Sequence, residues 1–75
     1  MTKLDRLQVV FRDVFGDPSI RLAPEFSPAT YADWDSIAMV RIVLAVESEF
    51  NVRFTTDQLV GIKSVQDIMA VLESA

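Results

Sequence analysis

Near the start of the chain, apolar residues recur every three or four positions, as they do on one face of an amphipathic helix. They are Leu4, Leu7, Phe11 and Val14. Thr2, followed by Asp5 three residues later, has the spacing of a capping box, which favours a helix that begins there. Gly16 and Pro18 are typical stop signals. The pattern therefore predicts a first helix that ends near Phe15.

The next segment, residues 16–35, has no hydrophobic period and contains all three prolines of the chain, which predicts a long loop. Loops of this length without secondary structure are uncommon and are usually functional. Its scattered apolar residues are Ile20, Leu22, Phe26 and Tyr31. We expect these side chains to hold the loop against the helices.

Residues 35–50 contain neither Gly nor Pro and predict the clearest helix of the chain. Their apolar residues form two stripes. The expected core stripe continues to the end of the segment and consists of Met39, Ile42, Val43, Val46 and Phe50. The other stripe, Ile37, Val40 and Leu44, is more apolar surface than one core face requires. It is either covered by the long loop or a later helix, or left exposed to bind a partner.

The following segment is less regular. Residues 51–54 alternate like a strand, but they are too few to form a sheet and have no partner strand, so we interpret them as a loop. Thr55 with Gln58 repeats the capping-box spacing. This pattern predicts a single short helix that reaches Leu59 or Val60.

The last segment has a helix start at Ser64 and Asp67, followed by apolar residues at core spacing. These are Val65, Ile68, Val71 and Leu72. Three main helices, one short helix and a long loop between the first two predict an all-α fold, a small four-helix bundle. We expect residues 1–75 to form a single domain, because a chain of this length builds only one core.

Composition narrows the possible chemistry. The 75 residues include no Cys and no His, and 7 basic against 11 acidic residues give a net charge of −4. Without Cys and His we expect no catalytic site and no metal site. The acidic balance disfavours binding to nucleic acid, which requires clustered Lys and Arg. No apolar run approaches the length of about 20 residues that a membrane span needs, so we expect no membrane association and a cytoplasmic monomer.

Ser36 stands out because it lies where the long loop meets the second predicted helix. If Asp35 is the N-cap, its carboxylate accepts a hydrogen bond from an amide two or three residues on, and the Ser36 hydroxyl points outward. An anion joined to that hydroxyl would meet unpaired amides and the positive end of the helix dipole. Trp34, before the cap, can form a hydrophobic staple with Met39. The alternative is that Asp-Ser is only a good helix start.

The residues alone leave three functional interpretations. Ser36 is modified by another enzyme, or the chain is a helical interaction module without a prosthetic group, or it is a small hydrolase built on Ser36. The interaction module would dock a partner through Ile37, Val40 and Leu44. The missing His argues against the hydrolase, because no Ser-His-Asp triad can form.

The chain resembles acyl carrier proteins, the phosphopantetheine-carrier family, over essentially its whole length. The resemblance lies in Asp35-Ser36-Ile37, a conservative form of the family's Asp-Ser-Leu attachment motif, and in the later segments 47–50, 52–54 and 62–68. It implies a carrier without catalytic activity, whose Ser36 is joined to 4′-phosphopantetheine from coenzyme A by a separate, magnesium-dependent phosphopantetheinyl transferase. Acyl groups would then be held as thioesters on the terminal thiol of that arm.

The resemblance also implies that the second helix docks acyl-processing enzymes, such as an acyl-loading ligase or acyltransferase and a ketosynthase. By position, the docking residues are Ile37, Val40, Arg41, Leu44, Glu47 and Ser48. Fatty-acid carriers are strongly acidic along this helix, and Arg41 and the uncharged Ser48 depart from that pattern. Trp34 before Asp35 is similar to stand-alone carriers of polyketide and other secondary-metabolism pathways. The resemblance favours such a carrier, with a fatty-acid or aminoacyl/peptidyl carrier as alternatives.

Overall fold

The computed structural model describes residues 1–74, in which it has four α-helices and no strand. The helices are α1 (Lys3–Phe15), α2 (Ser36–Phe50), α3 (Thr56–Gly61) and α4 (Val65–Ser74). The predicted all-α, four-helix fold with a long loop between the first two helices is confirmed. Residues 51–54 form a loop, as expected, and α3 is slightly longer than predicted because it includes Gly61. Residue 75, the last of the predicted domain, lies outside the described residues.

Local side chains determine where α1 and α3 begin. The Thr2 hydroxyl accepts a hydrogen bond from the Asp5 amide, and the Asp5 carboxylate accepts one from the Thr2 amide, both at 3.1 Å. Thr55 and Gln58 form the same reciprocal pair at the start of α3. α1 ends at Gly16, whose φ of 61° is the left-handed conformation that glycine adopts without a Cβ penalty. Both predicted capping boxes are therefore confirmed.

The start of α4 is completed by the long loop instead of by a side-chain cap. The Val65 amide donates to the Phe26 carbonyl at 2.8 Å, and the Gln66 amide donates to the Pro24 carbonyl at 2.9 Å. Ser64 directly precedes the helix, as predicted, but these two loop carbonyls satisfy its first amides. The loop and α4 are consequently fastened to each other by backbone hydrogen bonds.

The core lies where α1, α2, α4 and the long loop meet. Its largest fully buried side chains are Phe11, Leu7, Ile42, Ile68, Leu72, Val46 and Val65. Of the predicted core stripe of α2, Ile42, Val43 and Val46 are buried, and Met39 and Phe50 are partly buried against the same core. α3 contributes no buried residue, so it lies on the outside of this core.

The long loop is held down as the sequence predicts. Ile20 and Leu22 are buried in the core, and Phe26 and Tyr31 are partly buried against it. Polar contacts add to this packing, since the Arg12 side chain donates to the Ile20 carbonyl at 2.8 Å. The loop therefore reaches the start of α2 along a defined path.

Candidate functional site

The start of α2 is built around Asp35, whose backbone is extended and whose carboxylate accepts a hydrogen bond from the Ala38 amide at 2.9 Å. The Asp35 carbonyl accepts the Met39 amide, also at 2.9 Å. Asp35 is therefore the N-cap of α2, and Ser36 is its first helical residue.

Ser36 is exposed, and its hydroxyl has no hydrogen-bond partner among residues 1–74. The amides of Ser36 and Ile37 likewise have no acceptor in this part of the chain. After the Asp35 cap, the first turn of α2 contains no acidic residue, and the Asp35 carboxylate is already bound to the Ala38 amide. The site thus presents a free hydroxyl beside free amides, which suits a group joined through a phosphate.

Trp34, two residues before Ser36, is only 2% exposed. Its ring is edge-on to Phe11, at 5.2 Å between ring centroids, and is stacked on Phe26 at 6.1 Å. Its indole Nε1 is the one buried side-chain polar atom without a partner among the described residues. The aromatic contacts hold the last part of the loop rigidly against the core.

A groove of about 360 Å³ lies directly beside Ser36. Its lining residues are Pro28, Trp34, Asp35, Ser36 and Met39. Trp34 and Met39, the two residues of the expected hydrophobic staple, therefore face the same groove. Pro28 was not singled out by the sequence, because nothing in its local pattern indicates that the loop returns to Ser36.

A hydrogen bond between Tyr31 and Asp17 also fixes the loop that leads to this site. The Tyr31 hydroxyl donates to the Asp17 carboxylate at 2.9 Å. Hydrogen bonds from the hydroxyl and amide of Ser19, and then from Tyr31, lower the pKa of Asp17 below its usual value. Burial, and then the hydrogen bond to Asp17, raises the pKa of Tyr31.

The second apolar stripe of α2 is exposed. Ile37, Val40 and Leu44 are 67%, 59% and 61% exposed, so neither the long loop nor α3 covers them. Arg41 and Ser48 are exposed at positions that helical spacing places on the same side. We call these five residues the outward face of α2. The Arg41 side chain makes no ion pair with any residue in the range 1–74.

The acidic residues of α2 are engaged in contacts within the chain. The Glu47 carboxylate accepts a hydrogen bond from the Phe54 amide at 2.9 Å. Glu49 pairs with Arg6 at 3.1 Å between nitrogen and oxygen. Glu47 is therefore less available than the other docking residues expected from the sequence, and local periodicity does not show this because its partner lies in the next loop.

A second apolar groove, of about 310 Å³, separates α2 from α3. Its lining residues are Met39, Val40, Val43, Leu44, Glu47 and Leu59. Leu59 is 38% exposed and extends the apolar surface of the outward face towards α3. The sequence did not single out Leu59 for this surface, because its position depends on how α3 packs.

The described part of the chain lacks the features of two other kinds of site. Residues 1–74 contain no group of three or more His, Cys, Asp or Glu residues that could hold a metal ion. None of the helices in this range combines the length and hydrophobicity that crossing a bilayer requires.

Comparison with known proteins gives consistent matches. A family model described as "Phosphopantetheine attachment site" matches residues 5–72. The chain is 34% identical to an acyl carrier protein of Thermobifida fusca, over 93% of this chain and 89% of that one. It is 28% identical to a meromycolate extension acyl carrier protein of Mycolicibacterium smegmatis, over 89% of this chain and 68% of that one.

Among solved structures, the solution NMR structure of a holo acyl carrier protein from Geobacter metallireducens superposes with a TM-score of 0.90. That protein is 31% identical in sequence, and the match covers 99% of this chain and 85% of the other. The similarity therefore includes the sequence, the four-helix fold and nearly the full length of both chains.

Proposed function

The chain belongs to the acyl carrier protein family, and from this premise we propose that Ser36 is the residue to which its 4′-phosphopantetheine is attached. Proteins of this family are carriers and not catalysts. When bound, the prosthetic group supplies a flexible arm with a terminal thiol that holds an acyl group as a thioester. What this chain supplies is the attachment point and the surface that partner enzymes contact.

The observation that carries the proposal is the exposed hydroxyl of Ser36, the first residue of α2, which has no hydrogen-bond partner within residues 1–74. A phosphodiester on that oxygen would lie beside the free amides of Ser36 and Ile37, at the positive end of the helix dipole. The Asp35 carboxylate is occupied by the Ala38 amide, so it holds the helix start in place. The residues present therefore fit a phosphate-linked group.

Membership of the acyl carrier protein family implies that a second protein, a phosphopantetheinyl transferase, supplies the attachment chemistry. A phosphopantetheinyl transferase with Mg²⁺ would accept the hydroxyl proton while Ser36 Oγ forms a bond to the phosphorus of coenzyme A that bears the pantetheine. The bond from that phosphorus to the nucleotide breaks, and 3′,5′-ADP leaves. Ser36 must be exposed for this step, as it is in the structure.

We further propose that partner enzymes dock on α2 through Ile37, Val40, Arg41, Leu44, Glu47 and Ser48. The exposed apolar residues support this, since a contiguous apolar patch at the protein surface marks an interaction site. Contact with each enzyme has to be brief, and the tethered acyl group compensates for weak docking through its high effective concentration. Glu47 would contribute least, because its carboxylate already accepts the Phe54 amide.

For the pathway, we propose a stand-alone carrier of polyketide or other secondary metabolism, acting as a cytoplasmic monomer. The support is the charge of the docking side of α2, where Arg41 is exposed while Glu47 and Glu49 are bound within the chain. A fatty-acyl cargo is the alternative, favoured by the similarity to a carrier named for meromycolate extension. Acyl transfer to a polyketide ketosynthase and to a fatty-acid ketosynthase, compared on the same loaded carrier, distinguishes the two.

The attachment site is tested by intact-mass measurement after incubation with coenzyme A, Mg²⁺ and a broad-specificity phosphopantetheinyl transferase. We expect the mass of one phosphopantetheine to be added to the wild type and to Ser74→Ala, an exposed serine far from α2 in the sequence. Ser36→Ala should gain none. A wild type that gains no mass, or a gain that persists in Ser36→Ala, contradicts the proposed site.

A further inference from the structure

We propose that the attached arm rests in the groove beside Ser36, with its geminal dimethyl carbon against Pro28, Trp34 and Met39. This inference depends on the proposed attachment at Ser36 and adds a binding site for the arm on the protein itself. The arm would then have a preferred resting place between visits to partner enzymes.

The position of the groove is the first argument. Ser36 is itself one of the lining residues, so an arm that begins at its hydroxyl begins at the groove. The groove, of about 360 Å³, is open to solvent, so the arm can enter it without the movement of a helix. Because the arm is tethered, its binding to the groove costs less translational entropy than the binding of a free ligand would.

The chemistry of the lining is the second argument. After its phosphate, the arm has a carbon that bears two methyl groups, which is its most apolar part. Pro28, which is exposed, and Met39, which is partly buried, offer apolar surface to that carbon, and the 2% exposed Trp34 forms the floor between them. The phosphate remains next to the amides of Ser36 and Ile37. The groove thus joins a polar attachment point to apolar residues, as the arm joins its phosphate to its dimethyl carbon.

The rigidity of one wall and the adaptability of the other are the third argument. Trp34 is held by its contacts with the rings of Phe11 and Phe26, so that wall is already formed before loading. Met39 is partly buried and has a flexible thioether side chain that can adjust to the arm. A preformed wall lowers the ordering cost of binding.

The groove and the outward face of α2 have no residue in common. An arm that lay along Ile37 and Val40 would cover the surface that partners are proposed to contact. An arm in the groove leaves that surface free, so docking can precede the departure of the arm into an enzyme.

The test is NMR on protein labelled with carbon-13 and nitrogen-15 and loaded with unlabelled coenzyme A, with loading verified by intact mass. We expect filtered NOEs from the geminal methyl protons of the arm to the Met39 methyl group and to the Trp34 ring. Met69, a partly buried methionine of α4, is the matched control and should show none. The indole N–H of Trp34, the single tryptophan, should shift on loading.

The outcomes separate this inference from the attachment itself. The charge of the phosphodiester alone shifts the amides of Ser36 and Ile37, so those shifts count only for attachment. A mass gain without NOEs to Met39 and Trp34, or with NOEs to Ile37 and Val40 instead, overturns the groove and leaves attachment standing. Absence of any mass gain overturns both.

Discussion

The two apolar faces of α2 have similar residues and opposite surroundings. Ile42 and Val46 are 0% exposed, whereas Ile37 and Leu44 on the same helix are more than half exposed. An apolar stripe on a helix therefore marks a surface whose burial is favourable, but it does not indicate which element or partner covers that surface. On one face the burial occurs during folding, and on the other it is left for a partner.

The physical origin of the difference is the size and placement of the neighbouring elements. The inward face of α2 is covered by α1, by α4 and by the long loop. On the other side, the neighbours are the loop of residues 51–54 and α3, a short helix without a buried residue. It borders the outward face at Leu59 but leaves Ile37, Val40 and Leu44 open.

The largest expected effect is on stability, from one truncation on each face. Ile42→Ala should lower the free energy of unfolding by about 2–5 kcal/mol, because it leaves a cavity in the core. Leu44→Ala should change it by no more than about 0.5 kcal/mol, because that side chain is already in water. Urea unfolding followed by circular dichroism measures both, and equal losses would refute the distinction between the faces.

The next largest effect is on function, where a substitution on the outward face of α2 is expected to matter. Leu44→Asp should lower kcat/KM for loading by the phosphopantetheinyl transferase roughly 5- to 30-fold, about 1–2 kcal/mol, because it places a charge in an apolar contact. Val9→Asp, at an exposed apolar position of α1, is the matched control and should leave loading unchanged. If both variants slow loading alike, the outward face of α2 is not the docking surface.

A smaller effect is expected at the junction where both faces begin. Asp35→Ala should cost about 1 kcal/mol of unfolding free energy, because the Ala38 amide loses its acceptor. Asp35→Asn keeps an acceptor oxygen at the cap and should cost less. Thermal unfolding of the two variants provides the comparison, and an equal loss in both would mean that the cap does not hold the helix start.

The smallest expected effect is on the pH dependence of stability, and it comes from the long loop that covers the inward face of α2. The pKa of Asp17 is lowered in the folded protein. Asp17 therefore stabilises the fold at pH values above its ordinary pKa of 3.8, and this stabilisation is lost as the pH falls through the lower pKa of the folded state. The pKa of Tyr31 is raised, so its pH dependence runs in the opposite direction. Tyr31 stabilises the fold at pH values below its ordinary pKa of 10.0, and this stabilisation is lost as the pH rises through the higher pKa of the folded state.

Unfolding midpoints measured across pH test both contributions. Asp17→Asn should flatten the acid limb of the stability profile, and Tyr31→Phe should flatten the alkaline limb. Asp13→Asn, at an exposed residue of α1, serves as the control for the acid limb. An unchanged acid limb in Asp17→Asn would exclude this anchor as a source of the pH dependence.

Much of the fold follows from local signals. Thr2 and Thr55 begin helices through capping boxes, and Gly16 ends one through its left-handed conformation. Such contacts join residues only a few positions apart, so their pattern is visible in a single sequence. The start of α4 is different, because its first amides bind the carbonyls of Phe26 and Pro24 in a distant loop.

Helix caps and hydrophobic periodicity depend on near neighbours along the chain. They are therefore enough to predict the four helices, the position of Ser36 at a helix start and the two apolar stripes of α2. Three features become visible only in the folded chain: the stripe that stays open, the hydrogen bond from the Phe54 amide to Glu47, and the position of Pro28 beside Ser36. These features depend on where separate segments meet in space, and that outcome comes from packing the whole chain at once.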